Sequence, residues 1–217
     1  MIFVLPRNSP DYLEMALLAE PQNADLLLAA GARHEMRWWK AGGNPQRDPA
    51  GRSSTDESLT KAIHYLRRSV AADAALAEAR LRLAHVHLLA GEDAAAADDL
   101  RELSKLQVPV PLRYLALLFT GRLKERSGDR AGAIESYEAA TKVVPLAQAA
   151  RLALARIAFA DGSRDDAARI ATDAFRNTDS GSDPWWWYVH GLFWHLDYQL
   201  NALRTRVQVR TSAEVPR

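Results

Sequence analysis

The feature that most restricts the fold is a recurrence of small residues and turn residues at a step of 34. Gly121, Ala133, Tyr137 and Ala140 fall in one stretch that opens at Pro111 and closes at Pro145. A shift of 34 residues leads to Ala155, Ala167, Ala171 and Ala174, and turns Gly128-Asp129 into Gly162-Ser163. In the other direction Gly91-Glu92 forms the turn, with Ala84 before it and Ala96 after it. The step from Ala96 to Ala133 is 37, which leaves room for extra residues around Pro109 to Pro111. Apolar residues recur at three-four spacing on both sides of each turn, as in two amphipathic helices. Small residues at a helix crossing let two backbones approach closely. Such a pair cannot cover its own apolar surface and needs neighbours on both sides.

This pattern resembles the tetratricopeptide repeat (TPR) family. The resemblance is carried by the small residue at the eighth position of each unit (Gly31, Ala84, Gly121, Ala155, Gly191). It is carried also by alanine at the twentieth (Ala62, Ala96, Ala133, Ala167) and by the closing prolines Pro21 and Pro145. It implies an all-α, right-handed superhelical α-α repeat solenoid of about four helix pairs plus terminal helices. The matching residues are packing residues, so they speak to fold and hardly to function. On this basis 1–217 is one TPR-like domain. It comprises a leading single helix at 9–19, unit 1 at 23–74, unit 2 at 77–108, unit 3 at 111–145, unit 4 at 146–179 and a tryptophan-rich C-terminal cap at 184–210. Unit 1 carries an inserted Gly/Pro-rich loop at about 42–55. Thr55 is the expected start signal for the helix after it.

Composition excludes several classes. The chain has no cysteine, which removes disulfides, thiol catalysis and cysteine-based zinc sites. A net charge of +1 with 25% charged residues gives no general attraction to nucleic acid or anionic membrane. No apolar run is long enough to span a bilayer. The first residues show no basic segment followed by an apolar core, so no secretory signal is visible. Cytoplasmic is the default location, with the periplasm open if the chain is a mature form or a fragment.

The motifs of catalysis and metal binding are missing. His34-Glu35 is followed by Trp38 where a zinc peptidase needs histidine. His85 and His87 are two apart and point to different faces of a helix, and His190 and His195 are five apart. Gly121 to Gly128 lacks the order of a phosphate loop, and no nucleophile elbow occurs. Asp98-Asp99 and Asp165-Asp166 read as solvated residues near helix starts. Arg67, Arg68, Arg80, Arg82, Arg122, Lys124 and Arg126 read as solvated helix faces that could form a local basic surface. No cofactor, metal or enzymatic activity is expected.

In the resembled family the first helix of each pair lines a concave binding surface. Carried over position by position, that lining comprises Leu81, His85, Leu88, Leu118, Arg122, Glu125, Leu152, Arg156 and Phe159. Leu28 and Ala32 extend it at the front, Tyr188 and Leu192 at the back. Apolar anchors beside arginines suit an extended peptide or a partner helix bearing a carboxylate. The family's lysine-and-asparagine clamp for C-terminal carboxylates is absent, with Leu28, Ala32, Leu81 and Arg82 at those positions. Trp185, Trp186 and Tyr188 either cap the core or form a docking surface. The expected function is a protein-interaction module, perceived as part of a bacterial assembly. A passive spacer or terminal cap of a larger protein is the alternative, and an RNA-binding helical repeat is disfavoured by Glu125 and the apolar lining.

Overall fold

The computed structural model describes residues 12–41, 52–176 and 183–189. Among these residues there are ten helices and no strand. They are α1 (Tyr12–Ala19), α2 (Ala24–Lys40), α3 (Arg52–Ala72), α4 (Ala77–Ala90), α5 (Asp93–Leu103), α6 (Val110–Arg126), α7 (Arg130–Val143), α8 (Ala149–Ala160), α9 (Arg164–Arg176) and α10 (Pro184–Val189).

Local chemistry sets the boundaries. Asn23 caps α2 by accepting from the N–H groups of Asp25 and Leu26 at 3.1 and 3.2 Å. Asp129 does the same for α7, accepting from Gly132 N–H at 2.9 Å. Pro109 precedes α6 and Pro111 sits in its first turn, where the missing N–H has no intrahelical acceptor to lose. The turns inside the last three pairs pass through Gly91, Gly128 and Gly162 at φ of +81°, +82° and +80°. A side chain is disfavoured there.

Helices α2 and α3, α4 and α5, α6 and α7, and α8 and α9 pack as pairs. The pairs join through α3 on α4, α5 on α6 and α7 on α8. The close approaches fall where the small residues do. A Cβ on Gly31 would lie 2.5 Å from Leu66 Cγ, and one on Gly121 would lie 2.5 Å from Tyr137 Cε1. Leu66 and Tyr137 each stand one helical turn after a repeat alanine, so the two crossings are equivalent. Ala62, Ala96 and Ala133 are fully buried and Ala167 nearly so.

Most of the basic residues expected on solvated faces hold pairs together instead. Arg126 donates to Leu88 O at the end of α4 and pairs with Asp93. Arg130 donates to Ile157 O at the end of α8 and pairs with Asp161. Arg68 donates to Pro21 O, and Arg80 pairs with Asp99. Arg126 and Arg130 sit where a helix's last carbonyls carry partial negative charge, Arg80 sits beside a buried carboxylate, and Arg68 ties α3 to the linker before α2. Asp99 also departs from expectation: it lies inside α5, buried, accepting from His87 Nδ1 at 2.8 Å.

The helix after the inserted loop begins at Arg52 rather than near Asp56, so Thr55 does not mark its start. Serine, threonine and aspartate weaken a helix only slightly, and a first turn tolerates them well. Residues 42–51 of the loop, the cap residues at 9–11 and the 190–210 part of the expected C-terminal cap lie outside the described residues. Among the described residues no helix is long and apolar enough to cross a membrane.

Candidate interaction groove

The first helices α2, α4 and α6 form a contiguous row. One ring from each makes a stack along it. His85 of α4 lies 6.1 Å from Trp39 of α2 and 4.4 Å from Phe119 of α6, nearly parallel to both. The segment expected as a tryptophan-rich C-terminal cap begins with α10, which packs on α6 and this ring stack. Trp185 and Tyr188 meet His85 edge-on at 5.9 and 5.2 Å.

Tyr188 reaches a buried polar cluster. Its hydroxyl donates to Glu35 Oε1 at 2.5 Å, and His85 Nδ1 approaches the same oxygen at 2.6 Å. Arg82 donates to Glu35 Oε2 at 2.9 Å and to Glu78 at 3.0 Å, and its guanidinium lies 4.5 Å over the Tyr188 ring. Burial would push the Glu35 carboxyl up, but His85, Arg82 and Tyr188 together hold it below its ordinary value. Burial pushes His85 down despite its bond to Glu35, so it is neutral at pH 7 and its Nδ1–H donates a hydrogen bond to the carboxylate. Burial would likewise lower Arg82, but Glu78, Tyr188 and Glu35 hold it firmly charged. Burial also pushes the Tyr188 phenol well up, so it stays a donor.

The start of α10 is pinned separately. Asp183 is fully buried and accepts from Gln148 and Ala149 N–H at 2.8 and 2.7 Å, at the N-terminus of α8. Its other oxygen accepts from Trp185 N–H at 2.9 Å. One carboxylate thus caps two helices.

The expected lining divides in two. Leu81, His85, Leu88 and Leu118 are buried, as are Leu28 and Ala32, closed over by packing between helices and by α10. They do not form an open surface in this arrangement. The rest lies further along the row and is open: Arg122, Glu125 and Leu152 are half-buried, and Arg156 and Phe159 are exposed. Arg156 donates to Glu125. Arg122 has no carboxylate within salt-bridge distance among the described residues. Burial lowers its pKa, with Arg126 and Arg156 acting the same way against Tyr137 and Glu125. Of the three aromatic docking candidates, Tyr188 is buried, Trp185 is half-buried and Trp186 is exposed. Leu192 and Gly191 lie outside the described residues. Glu35, Phe119 and Asp183 are not among the site residues the sequence points to, and Arg82 reads there as part of a solvated face. Glu35 was visible only as part of a failed zinc motif, and Asp183 had a legible signal in Asp-Pro before an aromatic run.

This architecture is a TPR-like α-solenoid with its first-helix row partly occupied by its own chain. No protein-family model matches the sequence, and no curated protein does. Solved structures do. Two crystal structures of MamA align at 23% identity with TM-scores of 0.55 and 0.54, each covering 76% of this chain and 84% and 78% of theirs. A chain of the APC/C hetero-tetramer Cut9-Hcn1 aligns at 19% identity with a TM-score of 0.50, covering 92% of this chain and 42% of that one. At these identities the likeness is one of fold.

Proposed function

We propose that the protein is a non-enzymatic interaction module that binds a peptide or helix bearing an acidic group at the open end of the first-helix row. The observation that carries this reading is Arg122: a half-buried guanidinium with no carboxylate within salt-bridge distance among the described residues. Leu152, Arg156 and Phe159 share one face of α8 beside it, four and three residues apart. A carboxylate between Arg122 and Arg156 and an apolar side chain against Phe159 would complete the surface. A scaffolding role accords with the fold, and one structural neighbour is itself part of a hetero-tetramer.

The test is affinity capture of partners by the native protein, followed by calorimetry with wild type and the Arg122→Glu/Arg156→Glu variant. Loss of a desolvated charge pair corresponds to roughly 30-fold or more in affinity. Unchanged binding by a variant with native circular dichroism would remove this corner from the account. The filled part of the row favours a second reading, a spacer sealed by α10. That reading expects no saturable partner at either end of the row.

A further inference from the structure

We infer that the row formed by α2, α4 and α6 is a receptor site for a helical turn carrying tryptophan and tyrosine three residues apart. Helix α10 occupies it in cis, and a partner segment of the same Trp-x-x-Tyr chemistry enters it in trans. This rests on the reading of the first-helix row as a docking surface.

The receptor is built before α10 arrives. Glu35 belongs to α2, and Arg82 and His85 belong to α4; Glu35 accepts from both without help from α10. When Tyr188 leaves, no charge is orphaned, and only one acceptor site on Glu35 opens. A site meant purely for sealing would be filled more stably by apolar residues, because buried ion pairs rarely outdo a hydrophobic replacement. What the polar cluster adds is discrimination. It rewards an aromatic ring that carries a hydroxyl at its tip, and Arg82 over the ring face adds a cation–π contact. An apolar segment without the hydroxyl leaves the Glu35 oxygen under-satisfied.

The described part of α10, Pro184–Val189, meets the rest of the protein through a small set of contacts. Two of its polar anchors are Asp183 on α8 and Tyr188 on Glu35. A tethered ligand of this kind competes with a free one through its local concentration.

The experiment uses the full chain and a fluorescein-labelled peptide, Asp-Pro-Trp-Trp-Trp-Tyr-Val, which reproduces 183–189. The Trp185→Ala/Tyr188→Ala variant is expected to bind the peptide at least about tenfold more tightly than wild type, because its own segment no longer competes. A peptide with phenylalanine in place of the tyrosine is expected to bind about tenfold more weakly, the loss of one hydrogen bond to a charged acceptor. Should the double variant lose helicity, Tyr188→Phe takes its place, since it keeps both rings and removes only the bond to Glu35. In wild type, α10 amides are expected to exchange at least about tenfold faster than those at the centre of α6. Equal peptide binding by folded variant and wild type, indifference to the tyrosine hydroxyl, or α10 exchange as slow as α6 would each overturn the inference. Adding Arg122→Glu/Arg156→Glu to the variant should leave peptide binding within about twofold. A failure here is therefore separate from a failure of the Arg122 corner.

Discussion

Glu35 is a residue on which groups from three distant positions converge. Its carboxylate accepts from Arg82, His85 and Tyr188 while almost fully buried. Glu35→Gln keeps the shape but removes the charge and turns one acceptor into a donor facing Arg82 or Tyr188. We expect it to lower stability by about 3 kcal/mol, the low end for breaking a buried pair because Arg82 retains Glu78. Urea unfolding measures this, and a loss below about 1 kcal/mol would show the carboxylate to be dispensable. The same cluster sets a pH dependence. His85 is held below its ordinary 6.5 in the fold, so the unfolded chain takes up its proton first. Its contribution is complete above that value and is lost as pH falls through it. Glu35, also depressed, adds a further loss below its ordinary 4.5. The urea midpoint should therefore decline from pH 7 to 5 and again toward pH 4, and His85→Gln should flatten the first decline while leaving the second.

At the scale of elements, the pairing of helices was legible because it is written in side-chain volume. Gly121 faces Tyr137 and Gly31 faces Leu66, and both crossings could be inferred from spacing alone. Gly121→Ala puts a methyl group into a ring that is itself buried, so overpacking outweighs the gain in helix propensity. A net loss of about 1–2 kcal/mol is expected in thermal or urea unfolding. A stabilised variant would mean that α6 and α7 can separate freely. The arginine caps were not legible. Arg126 and Arg130 look like any surface cation in one dimension, and only folding reveals that a carbonyl of the neighbouring pair lies within reach. The same is true of Asp99, whose partner His87 comes from the other helix of its pair.

Across the whole molecule, repetition predicts what comes next but not what comes back. The sequence marks 184–210 as a tryptophan-rich cap, but no local signal in Trp185 or Tyr188 says which helices it covers. The observed return of α10 rests on a contact between residues 153 positions apart. A plain repeat array couples only neighbours and tends to unfold piecemeal when long. Here α10 ties α2, α4, α6 and α8 to one another through Glu35, His85, Phe119 and the Asp183 cap. Asp183→Ala should loosen that tie, so that tryptophan fluorescence and far-ultraviolet circular dichroism no longer trace one unfolding transition. Coincident curves in that variant would show that the pairs cooperate without it.

The distance along the chain between His85 and Tyr188 also has a temporal meaning. On the ribosome, 103 residues separate the two, which corresponds to roughly 5 to 20 s of elongation. Throughout that interval the nascent protein carries its carboxylate–histidine–arginine cluster unsealed, and any tyrosine-bearing segment in the vicinity meets it before the chain's own does.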